Sequence, residues 1–311
     1  MHLVVIMDPV DGVLVDEDTS FALMLEAESR GHRVDHCLPT DLYIQDGKLH
    51  ARTRMAHMQR DASPPIMLGD AHDLSLHGVD AVLVRQDPPF DENYLWCTLM
   101  LDRLQGDTLV VNRPSGLRHA NEKLYTCNFP ELMPTTIVAS EKPRIKAFVD
   151  RVGGRAVIKP LSGAGGEGVM ALVAGDMNIN AIIEATTHNG RQVAMVQEFL
   201  PAVTEGDKRV LLLDGEPLGA ILRVPQGGDV RSNIHVGGRV AKAEITDADR
   251  HIIETVGQRL RDDGLYFVGL DIIGGKLTEV NVTSPTGIQQ MTVLDGVNYS
   301  AKVIQWLAAR A

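Results

Sequence analysis

Cysteine is scarce. Cys37, Cys97 and Cys127 are the only three in 311 residues, scattered, odd in number and without a C-x-x-C pair. That excludes a disulfide framework and a cysteine-paired zinc site, and it suits a reducing cytoplasm. Positive charge is also in deficit: 30 Lys and Arg face 41 Asp and Glu, for a net charge of −11. Such a balance argues against a general nucleic-acid or acidic-membrane surface, so any local gathering of cations should mark a bound anion. No apolar run approaches the length of a transmembrane helix and no signal peptide opens the chain, so a cytoplasmic protein without membrane contact is expected. Internal repeats and low-complexity segments are missing. So are a G-x-G-x-x-G after the first strand, a Gly-Lys-Ser/Thr before a helix, and any Ser/His/Asp or Cys/His arrangement for nucleophilic catalysis.

What is present is a 44% hydrophobic chain, ample for a large core divided into two or three subdomains. The N-terminal third alternates strand and helix. Leu3 to Met7 is a short apolar run, Phe21, Met24 and Leu25 form a helical stripe ending at Gly31, and Ala81 to Val84 and Leu109 to Val111 read as buried strands. This predicts an α/β layer with parallel strands, which bind ligands at their carboxyl ends. Arg85 sits at such an end, either as a ligand-binding group or as a surface arginine paired with Asp87 or Asp91.

The middle of the chain carries a phosphate pattern. A strand at Ala156 to Ile158 delivers Lys159, followed by LSGAGGEG (residues 161–168) and a second strand, Val169 to Val173. Glycines let backbone N–H groups approach phosphate oxygens, and an ammonium beside them is a good phosphate partner. The plainer alternative is a long glycine-rich hairpin. Lys123 is a second phosphate candidate or a solvated lysine. QVAMVQEFL (192–200) reads as a buried strand whose edge could offer an adenine slot, or as plain core. A hairpin turning at Asp214-Gly215 then leads to QGGDVRSNIHVGG (226–238), a polar, glycine-rich stretch that reads as a lid holding Arg231, with His235 read as a solvent-exposed loop histidine. Helices are expected at Ala248 to Arg261 and near Ser300 to Arg310.

The most informative stretch is FVGLDIIGGKLTEVNVTSPTG, residues 267–287. Val268, Leu270 and Ile272 alternate into a turn at Gly274-Gly275, and Leu277, Val280 and Val282 follow it out. Asp271, Glu279 and Asn281 break the apolar pattern. Oxygen-bearing side chains in apolar strands are costly unless paired or bound to a cation, and hard cations take oxygen ligands. Glu279 and Asn281 share a face, but a two-residue turn would set Asp271 opposite Thr278 and aim it away. A shared metal site therefore requires an odd-length loop, such as three residues with Gly275 left-handed. The alternative is an ordinary hairpin with solvated acids.

Taken together, MDP, RQDPPFD, VNRPSGLRHANEKL, VIKPLSGAGG, GDKRVLLLDGEP, RVPQGG and GLDII…LTEVNVTSPTG run in order over nearly the whole chain. These blocks closely resemble the bacterial glutathione synthetases of the ATP-grasp superfamily. Ser162, Gly287 and the Gln289-Gln290 pair depart from that family's pattern.

The resemblance implies an α/β ATP-grasp fold with an N-terminal Rossmann-like parallel-sheet domain and two α+β subdomains enclosing ATP. The boundaries expected are 1–120 for the N-terminal substrate domain, 121–200 for the small subdomain with the flap, and 201–311 for the C-terminal subdomain with the metal site. It implies ATP-dependent ligation of γ-glutamylcysteine and glycine through an acyl phosphate. The alternatives are another ATP-grasp carboxylate–amine ligase or a non-catalytic ATP-binding regulatory module. Arg223, Lys159 and Arg231 are implied as catalytic. Lys123, Lys159, Gly163, Gly165, Gly166, Gln197, Glu198, Phe199, Leu200, Asp207 and Arg209 are implied at the nucleotide. Asp271, Glu279 and Asn281 would hold magnesium, with manganese as the alternative, and Ser20, Arg85, Ser284, Pro285 and Thr286 would hold the acid substrate. Small-molecule partners and a homo-oligomer are expected, without nucleic acid.

Overall fold

The computed structural model describes residues 1–225 and 239–311. The expected lid at residues 226–238, with Arg231 and His235, lies outside the described residues.

The first strand, β1 (His2–Ile6), leads into helix α1 (Thr19–Ser29). Asp18 starts that helix by accepting the Phe21 amide at 2.7 Å, a cap worth about 1 kcal/mol. Then follow β2 (Arg33–Cys37), β3 (Leu42–Gln45), β4 (Lys48–Met58), β5 (Ile66–Ser75), β6 (Ala81–Val84), α2 (Glu92–Leu101), β7 (Leu109–Val111) and α3 (Pro114–His119). In the resulting sheet β2, β1, β6 and β7 are parallel neighbours. The parallel layer expected from the sequence is therefore real but incomplete. β4 pairs antiparallel with β2, β3 and β5, extending the sheet on one side. These strands escape a reading based on apolar runs because their alternation is interrupted by His and Arg along one-sided, half-exposed surfaces.

A second sheet is built from β8 (Thr136–Ala139), β9 (Arg155–Pro160), β10 (Met170–Val173) and β11 (Ala194–Glu198), in the order β10-β9-β11-β8. Helices α4 (Lys142–Arg151) and α5 (Ile179–Thr186) cover it and share its separate core, which includes Ile145, Phe148, Ile158, Leu172 and Ile183.

The third sheet runs β14-β13-β12-β15-β16, from β12 (Asp207–Leu213), β13 (Glu216–Val224), β14 (Arg239–Lys242), β15 (Phe267–Ile273) and β16 (Lys276–Asn281). Helix α6 (Asp247–Asp262) opens on a capping box in which Thr246 and Asp249 satisfy each other's backbone donors. Its Ile252, Ile253, Val256 and Leu260 join Val210, Leu212, Val268, Leu270, Leu277 and Val280 in one core cluster. Val4, Ile6, Val82 and Val84 of the first sheet belong to the same cluster. Each such side chain contributes roughly 1.5–3 kcal/mol by burial. Helices α7 (Ile288–Asp295) and α8 (Tyr299–Ala308) pack with α1 in a second shared core. Asn112, just after β7, donates to the carbonyls of Phe267 and Val282 and accepts from the amides of Tyr266 and Phe267. One buried side chain thus ties both ends of the β15–β16 hairpin to the first sheet.

Candidate active site

The hairpin decides the geometry. Its turn has two residues, Gly274 and Gly275, both left-handed at φ 54° and 76°, as a type I′ turn requires. The odd-length loop expected from the sequence is absent. A β-bulge at Thr278 does the same work: Ile272 pairs with Leu277, yet Asp271 pairs with Glu279. Thr278 Oγ1 fills the extra position by donating to the Asp271 carbonyl at 3.1 Å. Asp271, Glu279 and Asn281 consequently line one cavity.

The neighbouring strands complete the face. Arg209 pairs with Asp271 across β12 and β15, so Arg209, Asp271 and Glu279 form a row over three adjacent strands. Asp207 stands opposite Arg223 beside this row. Arg209 grips both oxygens of Asp271 (2.5 and 3.0 Å), and Arg223 reaches Asp271 at 3.0 Å and Asp207 at 2.5 Å. Burial alone would raise Asp271, but the two guanidinium groups hold it far below the ordinary carboxylate range. Asp207, less well compensated, is pushed up to about 6 by its burial. Arg223 is held above its usual value because Asp207 and Asp271 outweigh its own desolvation. Glu279 lies 3.7 Å from the Lys123 ammonium and 3.8 Å from that of Lys159.

Two clefts meet at this row. The first runs between the second and third sheets and encloses about 760 Å³, counting its open mouth. Its walls are apolar at Pro134, Val157, Val169, Phe199, Leu200, Val203 and Ile273, and charged at Lys159, Asp207, Asp271 and Glu279. Gln197 and Glu198 line it too, as does Gly166 of the flap. Arg155 stacks 4.2 Å over the Phe199 ring, and the Phe199 amide donates to the Arg155 carbonyl, fixing the hinge. The Leu200 amide donates to no carbonyl among the described residues. An apolar slot with a spare backbone donor at one end and lysines at the other suits a nucleotide.

The second cleft is larger, about 1540 Å³ by the same measure. Arg85 anchors it, donating to Ser20 Oγ at 3.0 Å and to the Pro285 carbonyl at 3.1 Å. That arginine is buried, so its alternative as a surface group is not realised. Ser20, Ser284, Pro285 and Thr286 line the same cleft, with Gly165 of the flap at one side. Arg209 belongs to this cleft rather than to the nucleotide slot, and it also reaches the Thr286 carbonyl at 3.3 Å.

Residues 1–118 match the family model described as prokaryotic glutathione synthetase, N-terminal domain, and residues 122–296 match its ATP-grasp domain. A glutathione synthetase of Thermosynechococcus vestitus is 45% identical, with 99% of each chain covered. One from Gloeobacter violaceus is 46% identical, covering 99% of this chain and 96% of that protein. The chain belongs to the prokaryotic glutathione synthetase family. The fold also resembles that of the ATP-grasp ligase PsnB, solved with a precursor peptide and AMPPNP, at a TM-score of 0.64 and 15% identity over 99% of this chain and 97% of that one. The family's ATP-grasp architecture is therefore the fold of this chain.

The donor set fits the divalent metal of the family. No cluster of three or more His, Cys, Asp or Glu able to hold a metal exists among the described residues. Magnesium does not need one, since it binds through one or two carboxylates plus substrate phosphates. Asp271 and Glu279 could supply the carboxylates, and Asn281 donates its amide to the Gly269 carbonyl at 3.2 Å, which leaves its own oxygen open to a cation.

Three consecutive residues join the flap to the segment that follows β16. The Asn121 amide donates to the Leu161 carbonyl, Lys123 Nζ donates to the Gly163 carbonyl, and Glu122 Oε1 accepts from the Val282 amide, the Thr283 amide and the Thr283 hydroxyl. Of these three residues the sequence reading picked out only Lys123. Consecutive polar residues have no periodicity to reveal that they bridge the flap and the end of the hairpin.

Proposed function

We propose that this chain ligates γ-glutamylcysteine to glycine at the expense of ATP, passing through an acyl phosphate. The observation that carries the proposal is the row Arg209–Asp271–Glu279, which borders both a nucleotide-shaped cleft and an arginine-anchored acid cleft.

A carboxylate is a poor acceptor for an amine and must be activated. ATP would lie with its adenine between Val157, Phe199 and Leu200 and its phosphates toward Lys159, Lys123 and the flap. Arg85 would take one substrate carboxylate in a planar, two-point grip, assisted by Ser20 and the 284–286 segment. The other carboxylate would face Arg209 and Arg223, where the γ-phosphoryl group arrives. Arg223 is fixed between two aspartates, so it needs no reorganisation as charge builds on that group. A divalent cation held by Asp271, Glu279 and Asn281, magnesium or alternatively manganese, would neutralise the phosphate oxygens and align the transfer. The amine then attacks the acyl carbonyl and phosphate leaves. No side-chain nucleophile takes part.

The test is ADP release over a panel of acids and amines. The expected outcome is strong release only with γ-glutamylcysteine and glycine together. Preference for another acid–amine pair would assign a different ligase, and ATP binding without turnover on any pair would contradict the enzyme reading.

A further inference from the structure

A third cavity, of about 690 Å³ counting its opening, lies behind the flap and meets the acid cleft at Pro88, Glu122 and Thr283. Another part of the acid-cleft wall is a loop, residues 13–18, which runs into α1 and contributes Leu14, Glu17 and Asp18. The loop has no helix or strand of its own, and Val13 and Val15 rest against the second shared core. Apart from bonds within residues 10–22, every hydrogen bond it makes among the described residues ends on Arg60 or Gln289. Arg60 lies between β4 and β5, whereas Gln289 is on α7, 229 residues further along the chain. Gln289 is buried and its carboxamide is used at both ends. Nε2 donates to the Val15 carbonyl at 2.7 Å and to the Asp18 carbonyl at 2.6 Å, and Oε1 accepts from Arg60 Nη2 at 2.7 Å. Arg60 Nη1 also donates to Asp16 at 2.8 Å and to the Val15 carbonyl at 3.3 Å, and the guanidinium carbon sits 5.6 Å from the Phe21 ring centroid. Both donors of the amide are committed to the loop, so the loop and α7 are held as one piece.

We propose that Gln289 and Arg60 are positioning residues for the acid substrate: they clamp the 13–18 loop to α7 and so hold Ser20 and Arg85 where a substrate carboxylate is gripped. The inference rests on the ligase reading, in which those two groups take the acid. The contacts form a continuous chain. Arg60 fixes Gln289, and Gln289 fixes the Asp18 carbonyl. Asp18 caps α1 through the Phe21 amide, and Ser20 in that first turn accepts from Arg85 Nε at 3.0 Å. A planar two-point grip on a carboxylate depends on direction as well as distance, so a small shift of Ser20 and Arg85 weakens it. Neither Arg60 nor Gln289 lines the nucleotide cleft, the acid cleft or the third cavity. They act through the loop rather than by touching a ligand, and their loss should be felt by the acid alone. Through Arg60, the antiparallel extension of the first sheet also gains a part in the reaction.

Gln289→Leu removes the two donors and the acceptor at similar volume. Its KM for γ-glutamylcysteine should rise about tenfold, while kcat and the KM values for ATP and glycine stay within about threefold. Arg60→Leu, at an exposed position that leaves the core untouched, should raise the acid KM about fivefold in the same selective way. The double variant should rise by less than the product of the two single effects, because the two side chains form one clamp. Gln289→Glu keeps a partner for Arg60 but sets a carboxylate against the Val15 and Asp18 carbonyls, so it should match Gln289→Leu. A merely structural role would not sort the substrates in this way. Equal KM rises for acid, ATP and glycine, an unchanged acid KM in Gln289→Leu or Arg60→Leu, fully additive effects, or a Gln289→Glu variant indistinguishable from wild type would each overturn the clamp. Arg85→Ala, measured alongside, separates the two levels. If it leaves the KM for γ-glutamylcysteine unchanged, the acid-cleft reading fails and the clamp with it. If it raises that KM and Gln289→Leu does not, only the clamp fails.

Discussion

Two buried acid clusters in this molecule look alike and differ in consequence. In the first sheet Asp35 is fully buried, 2.5 Å from His2 Nε2, 2.8 Å from Arg33 Nε and 3.7 Å from His72 Nε2. In the third sheet Asp271 is buried against Arg209 and Arg223, with Glu279 next to it beside two lysines. Both are carboxylates compensated by cations, as burial demands. The Asp35 cluster lines none of the three cavities, whereas Asp271 and Glu279 border two of them. Charge pairing alone therefore does not mark a site; access from a cavity does. A ligand in either cleft would meet the second cluster, whereas the first borders none of these three cavities.

The comparison is sharpest in Glu279→Gln. Glu279 makes no ion pair shorter than 3.7 Å, so its loss should leave thermal stability within about 1–2 kcal/mol. Ligation should nevertheless fall by about 1000-fold, roughly 4 kcal/mol of transition-state stabilisation. Comparable losses of stability and rate would make the two clusters equivalent and break the contrast.

Next come the arginines of the acid cleft. Arg223→Ala should mainly lower kcat, by about 2–4 kcal/mol in activation free energy, because it meets charge that develops on the phosphoryl group. Arg85→Ala should mainly raise KM for γ-glutamylcysteine. Steady-state kinetics with each substrate varied in turn separates the two effects, and a shared phenotype would merge their roles.

Asp35→Asn is the mirror image. It should cost about 1–3 kcal/mol of stability at neutral pH, by denaturant titration, and leave every KM unchanged. Burial would raise Asp35, but the His2 and Arg33 hydrogen bonds and charges hold it below its ordinary 3.8. Its contribution is therefore fully present above that value and lost as pH falls through the lower, folded value. The gap between wild type and variant should close on acidification, and a gap that widened instead would reverse the assigned sign.

The smallest effect belongs to the bulge. Thr278→Val removes only the bond to the Asp271 carbonyl and should cost about 0.5–1.5 kcal/mol of stability, measured by thermal unfolding.

Thr278 also shows how much of the site was legible beforehand. Lys159, the flap glycines and the identity of the three hairpin oxygens follow from local pattern, because strands and glycine-rich loops write themselves into short stretches. The register did not follow, since an odd loop was expected and a bulge does the work. The signal was nonetheless present. Leu277 and Val280 both enter the core, yet a regular strand would send residues three apart to opposite faces. Asn112, Asn121 and Glu122 act by joining segments distant in sequence, and no single-chain periodicity encodes such partners. The antiparallel extension β3–β4–β5 was missed for a related reason: half-exposed strands rich in His and Arg lack the apolar run that announces a buried one.

The central claim is that the acid is activated by phosphorylation on this charged face. Its most direct test is oxygen transfer. With oxygen-18 in the carboxylate of γ-glutamylcysteine that accepts glycine, one labelled oxygen should appear in the released phosphate, because that oxygen leaves bonded to phosphorus. Unlabelled phosphate alongside normal peptide formation would contradict the acyl-phosphate route.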